Sequence, residues 1–148
     1  MKHRESEQTQ LRVSRLLNRD SVMLHAEMPS VQTALETLVE LQESNGVITN
    51  GTAYYKAVCE RERAGGTTAI GEGLAIPHAC NAGVASLGLA ALTLTRGLDW
   101  GAADGKLVDM IFMVAVPPDR QSDHLLILAD TREAFIRILN QTEAAIFA

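Results

Sequence analysis

An imidazole that directly follows a proline is the side chain of this sequence best suited to chemistry. The pair Pro77-His78 closes the segment TTAIGEGLAIPH, which spans residues 67–78. Proline has no N–H and a fixed φ, so it tends to end a strand. We therefore expect His78 where a sheet gives way to a loop, a common location of ligand sites in α/β sheets. A neutral imidazole nitrogen is a competent nucleophile, including towards phosphorus, whereas the plainer alternative is a loop that contains a histidine.

Phosphoryl chemistry needs positive charge near the reacting group, and two arginines precede the glycine-containing part of this segment. Arg61 and Arg63 lie at the end of a predicted helix and could deliver a cation to a phosphoryl group on His78. For any single residue of the run ERER, however, a solvated surface position is the favoured alternative.

Backbone N–H groups offer a second way to hold an anion. Gly71 and Gly73, with the threonines before them, could let such groups approach one. We assign Thr68, together with Arg63, to phosphate binding. The pattern lacks the third glycine of a dinucleotide-binding fingerprint and the Gly-Lys-Ser/Thr ending of a P-loop. Taken alone, it therefore favours a plain loop.

A second histidine occupies a position that favours its neutral form. Ser122 is a candidate N-cap, which places His124 in the first turn of a predicted helix. The positive end of the helix dipole disfavours an imidazolium there, so we expect a neutral ring that donates one hydrogen bond. A partly exposed histidine on a helix is the alternative, and it is favoured without further support.

The two cysteines indicate neither a disulfide framework nor a strong metal site. Cys59 and Cys80 are too few for such a framework and fit a reducing compartment. His78 and Cys80 are close in sequence, but no second Cys/His pair has the usual ligand spacing. A zinc site or a Cys80 nucleophile is thus only weakly indicated.

The composition fits one globular domain and excludes several partner classes. The chain has 148 residues and a net charge of −5, without a basic cluster of the kind that binds nucleic acid. No apolar run is long enough to span a bilayer, and the polar start does not resemble the apolar core of a signal peptide. We expect a cytoplasmic protein with a frayed tail over residues 1–10 and one domain over residues 11–148.

Hydrophobic periodicity predicts helices at both ends of the domain and strands in its middle. Ser30 is expected to cap one helix, Gly46 to end it, and Asp104-Gly105 to form a tight turn. This order of elements predicts an α/β sandwich with a mixed sheet. Helices are predicted within residues 11–20, 30–45, 52–64 and 122–148, and strands within residues 21–26, 73–77, 87–95 and 108–118.

The segment RERAGGTTAIGEGLAIPHA, residues 61–79, resembles the signature of the fructose/mannitol-type enzyme IIA domains of the bacterial phosphoenolpyruvate-dependent sugar phosphotransferase system. Residues 11–58 are similar to the N-terminal half of that family, and residues 98–129 to its later strand pair and histidine-bearing helix. The similarity thus extends from residue 11 to near the C-terminus. The Ala-Ile-Pro-His core makes the signal specific.

The resemblance implies a phosphotransferase that relays a phosphoryl group. His78 takes the group from the carrier protein HPr and passes it to a IIB domain, and the sugar receives it later at the membrane component. His124 lies beside His78 and stabilises its phosphorylated state, while an arginine before the glycines supports the phosphoryl group. The implied fold is a mixed sheet flanked by helices on both faces, without a metal or organic cofactor. The residues GTTAIGEG favour the fructose-type branch of the family.

Two departures from the family pattern affect the assignment. The stretch between Arg61 and His78 is one residue longer than usual, so Arg61 keeps the family's Arg-Glu pair whereas Arg63 is nearer the expected spacing. We take Arg61 as the site arginine. The chain also lacks about ten residues after HLLILAD, within the usual length of one helix, which indicates a shortened C-terminal helical region.

Two other functions stay open from the sequence. One is a regulatory module of the same fold, of the nitrogen type, whose phosphorylation state controls a partner. The other is a non-catalytic domain that binds a metal or ligand through His78 with Cys80 or His124.

Overall fold

A computed structural model describes residues 17, 19–64, 67–120 and 132–140. The described part contains six strands and three α-helices, with two short 3₁₀ turns at Arg19–Ser21 and Pro118–Arg120. In chain order the elements are β1 (Val22–Ala26), α1 (Val31–Ser44), α2 (Gly51–Ala64), β2 (Ala69–Gly71), β3 (Leu74–Ala75), β4 (His78–Cys80), β5 (Gly88–Leu98), β6 (Val108–Val116) and α3 (Arg132–Asn140).

The strands form one mixed sheet, as expected. Its order is β1-β5-β6-β3-β2, and β4 also pairs with β6. The β1–β5, β3–β6 and β4–β6 pairs are parallel, whereas β5–β6 and β2–β3 are antiparallel. The hairpin predicted around Asp104-Gly105 is present, because Leu98 pairs with Val108 across it.

Helices cover both faces of the sheet, which confirms an α/β fold in a single domain. On one face, α1 and α2 pack through residues such as Leu38, Tyr54 and Val58. On the other, Phe135 of α3 lies against Phe112 of β6, with ring centroids 4.4 Å apart. Burial on both faces explains the almost continuous apolar sequence of β6.

The ends of α1 follow the residues that the sequence indicated. The hydroxyl of Ser30 accepts the N–H of Thr33 at 3.1 Å, which satisfies one otherwise unpaired donor of the first turn. Beyond the other end, Gly46 has φ of +75°, a backbone conformation that glycine adopts without steric cost. Ser30 thus marks where the helix begins, and Gly46 marks where the chain turns after it.

His78 does not lie where the strand ends, contrary to our expectation from Pro77. Leu74 pairs with Met110 and His78 pairs with Val114, four residues further along both strands. The register with β6 is therefore kept across Ile76 and Pro77, and His78 begins a new stretch of strand. Proline removes one donor from the ladder, but its carbonyl still accepts the N–H of Val114 at 3.0 Å.

Several predicted features fall outside the described residues. They are the tail over residues 1–10, most of the helix predicted within 11–20, and the segment that contains Ser122 and His124. Arg132–Asn140 is the part of the predicted C-terminal helical region that the structure describes. The extent of shortening beyond it stays a prediction.

The glycine loop of the signature binds an anion that belongs to the chain itself. The N–H of Glu72, between Gly71 and Gly73, donates to Asp104 Oδ2 at 2.9 Å. The other carboxylate oxygen, Oδ1, accepts the N–H of Lys106 at 3.0 Å. Asp104 therefore fastens the β2–β3 turn to the β5–β6 connection.

The loop lies away from His78 along the sheet. Gly73 precedes Leu74, the partner of Met110, whereas His78 pairs with Val114. Four residues of strand span about 13 Å. The glycines thus shape a turn that anchors the sheet, which agrees with the plain-loop alternative.

We predict that Asp104→Asn reduces stability at neutral pH more than at acid pH. Backbone hydrogen bonds, first from Glu72 and then from Lys106, lower the pKa of Asp104. A lowered pKa stabilises the fold above the ordinary aspartate pKa of about 3.9, and this stabilisation is lost as pH falls through the folded-state value. Melting temperatures at pH 7 and pH 3, with Asp119→Asn as an exposed control, measure the effect. An equal difference from wild type at both pH values contradicts it.

Candidate functional site

The imidazole of His78 is half-buried and is held by a hydrogen bond to a backbone carbonyl two residues earlier in the chain. Its Nδ1 lies 2.8 Å from the carbonyl oxygen of Ile76. A carbonyl oxygen only accepts hydrogen bonds, so Nδ1 must carry the proton. In the neutral ring, Nε2 then has a free lone pair, and this is the nitrogen that can act as nucleophile.

The Ile76 carbonyl is itself fixed on both sides. Ile76 is buried, and its N–H donates to the carbonyl of Thr68 at 3.0 Å. On the other side, the carbonyl of Pro77 accepts the N–H of Val114. The proline ring also restricts Ile76 to an extended conformation. The acceptor of the His78 proton therefore has little freedom to rotate away.

Tyr54 joins helix α2 to the two strands beside His78. Its hydroxyl donates to the carbonyl of Val114 at 2.7 Å and also hydrogen-bonds the backbone of Ala79. Burial raises the pKa of Tyr54 well above its ordinary value, so the hydroxyl stays protonated and able to donate. This polar contact of Tyr54 carried no signal in the sequence.

The two candidate arginines lie on opposite sides of α2. Residues seven apart differ by about 20° around a helix axis and residues nine apart by about 180°. Arg61 is thus on the same side as Tyr54, which packs on the sheet, and it is half-buried. Arg63 is exposed on the far side.

Arg63 lines a groove that does not include His78. The groove has a volume of about 430 Å³ and also includes Gln32, Tyr55 and Trp100. These residues belong to the starts of α1 and α2 and to the chain after β5. The position of Arg63 therefore favours Arg61 as the arginine near the sheet.

Strand alternation separates His78 from α2. Val114, the partner of His78, packs with Phe112 and α3 on one face, whereas Ala79 packs with α1 and α2 on the other. To serve a phosphoryl group on His78, Arg61 would have to reach it around β4. In the described part of the sheet, β4 has only β6 as a neighbour, so this edge is open.

Thr68 has both of its donors engaged by Glu62. Its N–H donates to Oε2 at 3.2 Å, and its hydroxyl donates to Oε1. Thr68 is also buried, with 5% of its surface exposed. This arrangement leaves no donor for a phosphoryl oxygen and favours a positioning role over direct phosphate binding. Sequence reasoning missed Glu62, because it lies in a run that is typical of solvated surface.

The remaining candidates are not brought into the site by a described contact. The thiol of Cys80 lies 3.6 Å from the carbonyl of Pro117. Among the residues described, no three His, Cys, Asp or Glu side chains cluster as metal ligands would. His124 lies outside the described residues, so its place beside His78 stays a prediction.

Residues 15–143 match the family model of the phosphoenolpyruvate-dependent sugar phosphotransferase system, EIIA 2. The chain belongs to this family. EIIA domains are phosphotransfer components, so the general role of the chain is the transfer of a phosphoryl group. The match covers the strands and helices around His78 described above.

Two of the curated relatives are EIIABC components that are much longer than this chain. The chain is 34% identical over 110 residues to the 2-O-alpha-mannosyl-D-glycerate-specific EIIABC component of Escherichia coli, which is 74% of this chain and 17% of that protein. It is 27% identical over 149 residues to the fructose-specific EIIABC component of Bacillus subtilis, which is 88% of this chain and 23% of that protein. The chain thus spans about a fifth of these relatives.

A solved EIIA structure has the same fold. The crystal structure of nitrogen regulatory protein IIA-Ntr from Neisseria meningitidis superposes with a TM-score of 0.70 and 28% identity, and the match covers 78% of each chain. Within the described residues, none of the helices is long and apolar enough to cross a membrane. The matched proteins thus include EIIABC components named for a specific compound and a protein named for nitrogen regulation.

We predict that Tyr54→Phe loosens β4 and lowers the free energy of unfolding by about 2 kcal/mol, the usual net value of two hydrogen bonds. Because burial raises the pKa of Tyr54, its contribution is complete below pH of about 10 and is lost as pH rises further. The difference from wild type should therefore shrink at high pH.

Urea unfolding at pH 7 and above pH 10 measures this difference, and hydrogen exchange of the Ala79 amide reports on β4. Tyr55→Phe, one position along α2, is the control. Unchanged exchange at Ala79 in Tyr54→Phe contradicts the proposed link between helix and strand.

Proposed function

We propose that the chain is a phosphocarrier that accepts a phosphoryl group on Nε2 of His78. The hydrogen bond from Nδ1 to the Ile76 carbonyl is the observation that carries this proposal, since it fixes the proton on the other nitrogen. The ring is half-buried, and among the described strands β4 pairs only with β6, which supports access by a protein donor from this edge. The family of the chain supports the same role.

The transfer needs no proton to move on this chain. The lone pair of His78 Nε2 attacks the phosphorus of a phosphorylated histidine on the donor, and a new N–P bond forms. The N–P bond of the donor breaks, and its electron pair returns to the donor's ring nitrogen. Nδ1 keeps its proton and continues to donate to Ile76, which stabilises the ring as it becomes more positive.

The partners follow from the family resemblance and are part of the proposal. Phosphorylated HPr is the donor, and a IIB domain is the acceptor, which passes the group on for sugar uptake. The fructose type is favoured by the glycine signature and by similarity to the fructose-specific EIIABC component of Bacillus subtilis. Arg61 supports the phosphoryl group around the open edge, and His124 stabilises it.

A regulatory function is the second candidate, and a specific similarity favours it. The solved structure described above is named as a nitrogen regulatory protein, with 28% identity to this chain. In that case the phosphorylation state of His78 controls a partner protein, and the group is not passed to a sugar.

We predict that incubation with phosphoenolpyruvate, enzyme I and HPr adds one acid-labile phosphoryl group, and that His78→Ala removes it. His25→Asn is the matched control, because His25 has φ of 56° and asparagine tolerates this conformation. Intact mass spectrometry measures the modification. Label that persists in His78→Ala contradicts the site, and loss of label on addition of a fructose-type IIB domain favours sugar transport over regulation.

We predict that Arg61→Ala slows phosphorylation of His78 by about tenfold or more, the effect of losing one hydrogen bond to a charged group. Arg63→Ala, two positions along the same helix, should stay near the wild-type rate because it lies on the far side of α2. Rates are compared after thermal unfolding has shown that both variants are folded. A slower Arg63→Ala would transfer the role to Arg63.

A further inference from the structure

A carboxylate that the proposed reaction does not use is connected to the reactive ring. Glu62, in the last turn of α2, accepts both the N–H and the hydroxyl of Thr68. A single carboxylate group thus holds the start of the segment that leads to β2. Thr68 is buried, whereas Glu62 is half-buried and also lines the groove that contains Arg63.

The connection continues from Thr68 to His78. The carbonyl of Thr68 accepts the N–H of Ile76 at 3.0 Å, and the carbonyl of Ile76 accepts Nδ1–H of His78 at 2.8 Å. In each step the donor is the group nearer to the imidazole, and the final acceptor is the carboxylate. These three steps, which comprise four hydrogen bonds, therefore form one directed series from ring to helix.

This series fixes position and moves no proton. At Ile76 and at Thr68 the series passes from the carbonyl of the residue to its own N–H. These two groups belong to different peptide units, which are separated by the Cα atom. What it controls is the direction of the Ile76 carbonyl. Proline at position 77 has no N–H to help hold this part of the strand, so the bond from Ile76 to Thr68 fixes it on one side and the bond from Val114 to the Pro77 carbonyl on the other.

We infer that Glu62 is a positioning residue for His78, acting through Thr68 and Ile76 to keep the proton on Nδ1 and the lone pair on Nε2. The inference rests on the proposed function for its effect on phosphoryl transfer. The expected state of the ring stands independently of that function. Glu62 and Thr68 do not touch the phosphoryl group.

A purely structural role would give a different result. If Glu62 only fastened the chain between α2 and β2, its loss would lower stability and leave the ring tautomer unchanged. If it positions His78, the fraction of the ring with its proton on Nε2 must increase. The ring tautomer, read from the ¹⁵N chemical shifts of the imidazole, therefore separates the two roles.

The test compares two pairs of variants. Glu62→Gln keeps the side-chain size but leaves one acceptor for two donors, and Glu60→Gln on the exposed part of the same helix is its control. Thr68→Val removes the hydroxyl with little change of shape, and Thr68→Ser restores it. For each variant we measure the ¹⁵N shifts of His78 and the rate of phosphorylation by phosphorylated HPr.

We expect Glu62→Gln and Thr68→Val to raise the Nε2–H fraction and to slow phosphorylation by about tenfold, as misplacement of a reacting group does. Glu60→Gln and Thr68→Ser should remain near wild type. Wild-type shifts and rates in both Glu62→Gln and Thr68→Val overturn the inference. If Thr68→Val does not fold, Glu62→Gln decides alone. If wild type is not phosphorylated but the tautomer still changes, the positioning holds and the proposed function fails.

Discussion

The hydrogen bond from Nδ1 of His78 to the carbonyl of Ile76 determines which ring nitrogen is available for reaction. A free imidazole exchanges its proton between two nitrogens, and only one of the two forms presents a lone pair on Nε2. A backbone acceptor that cannot rotate away selects this form before any partner arrives. The contacts of Thr68, Val114 and Tyr54 around this segment all restrict the same short stretch of backbone.

The sheet explains how such a short stretch is held so firmly. β3 and β4 keep one register with β6 although Ile76 and Pro77 separate them, so β6 acts as the template for both. β6 is buried on both faces, by α1 and α2 on one side and α3 on the other. The proposed phosphorylation site thus lies on a strand that pairs with a central strand buried on both faces.

Local patterns predicted the fold well because they are set by neighbouring residues. Ser30 and Gly46 mark the ends of α1, and the apolar run of β6 indicates a central strand. The location of His78 was predicted wrongly, since its strand continues past Pro77 only through pairing with a segment 36 residues away. The role of Glu62 was missed for the same reason. A run of charged residues is typical of solvated surface, and the hydrogen bonds between Glu62 and Thr68 form only in the folded chain. The partner of the glycine loop, Asp104, is also distant in sequence.

The nitrogen that carries the phosphoryl group tests the central claim most directly. After phosphorylation of protein with ¹⁵N-labelled histidine, the coupling between phosphorus and nitrogen identifies the bonded ring atom of His78. We expect coupling to Nε2, with the proton still on Nδ1. Coupling to Nδ1 would mean that the bond to Ile76 does not govern the reactive nitrogen, and it would contradict the account given above.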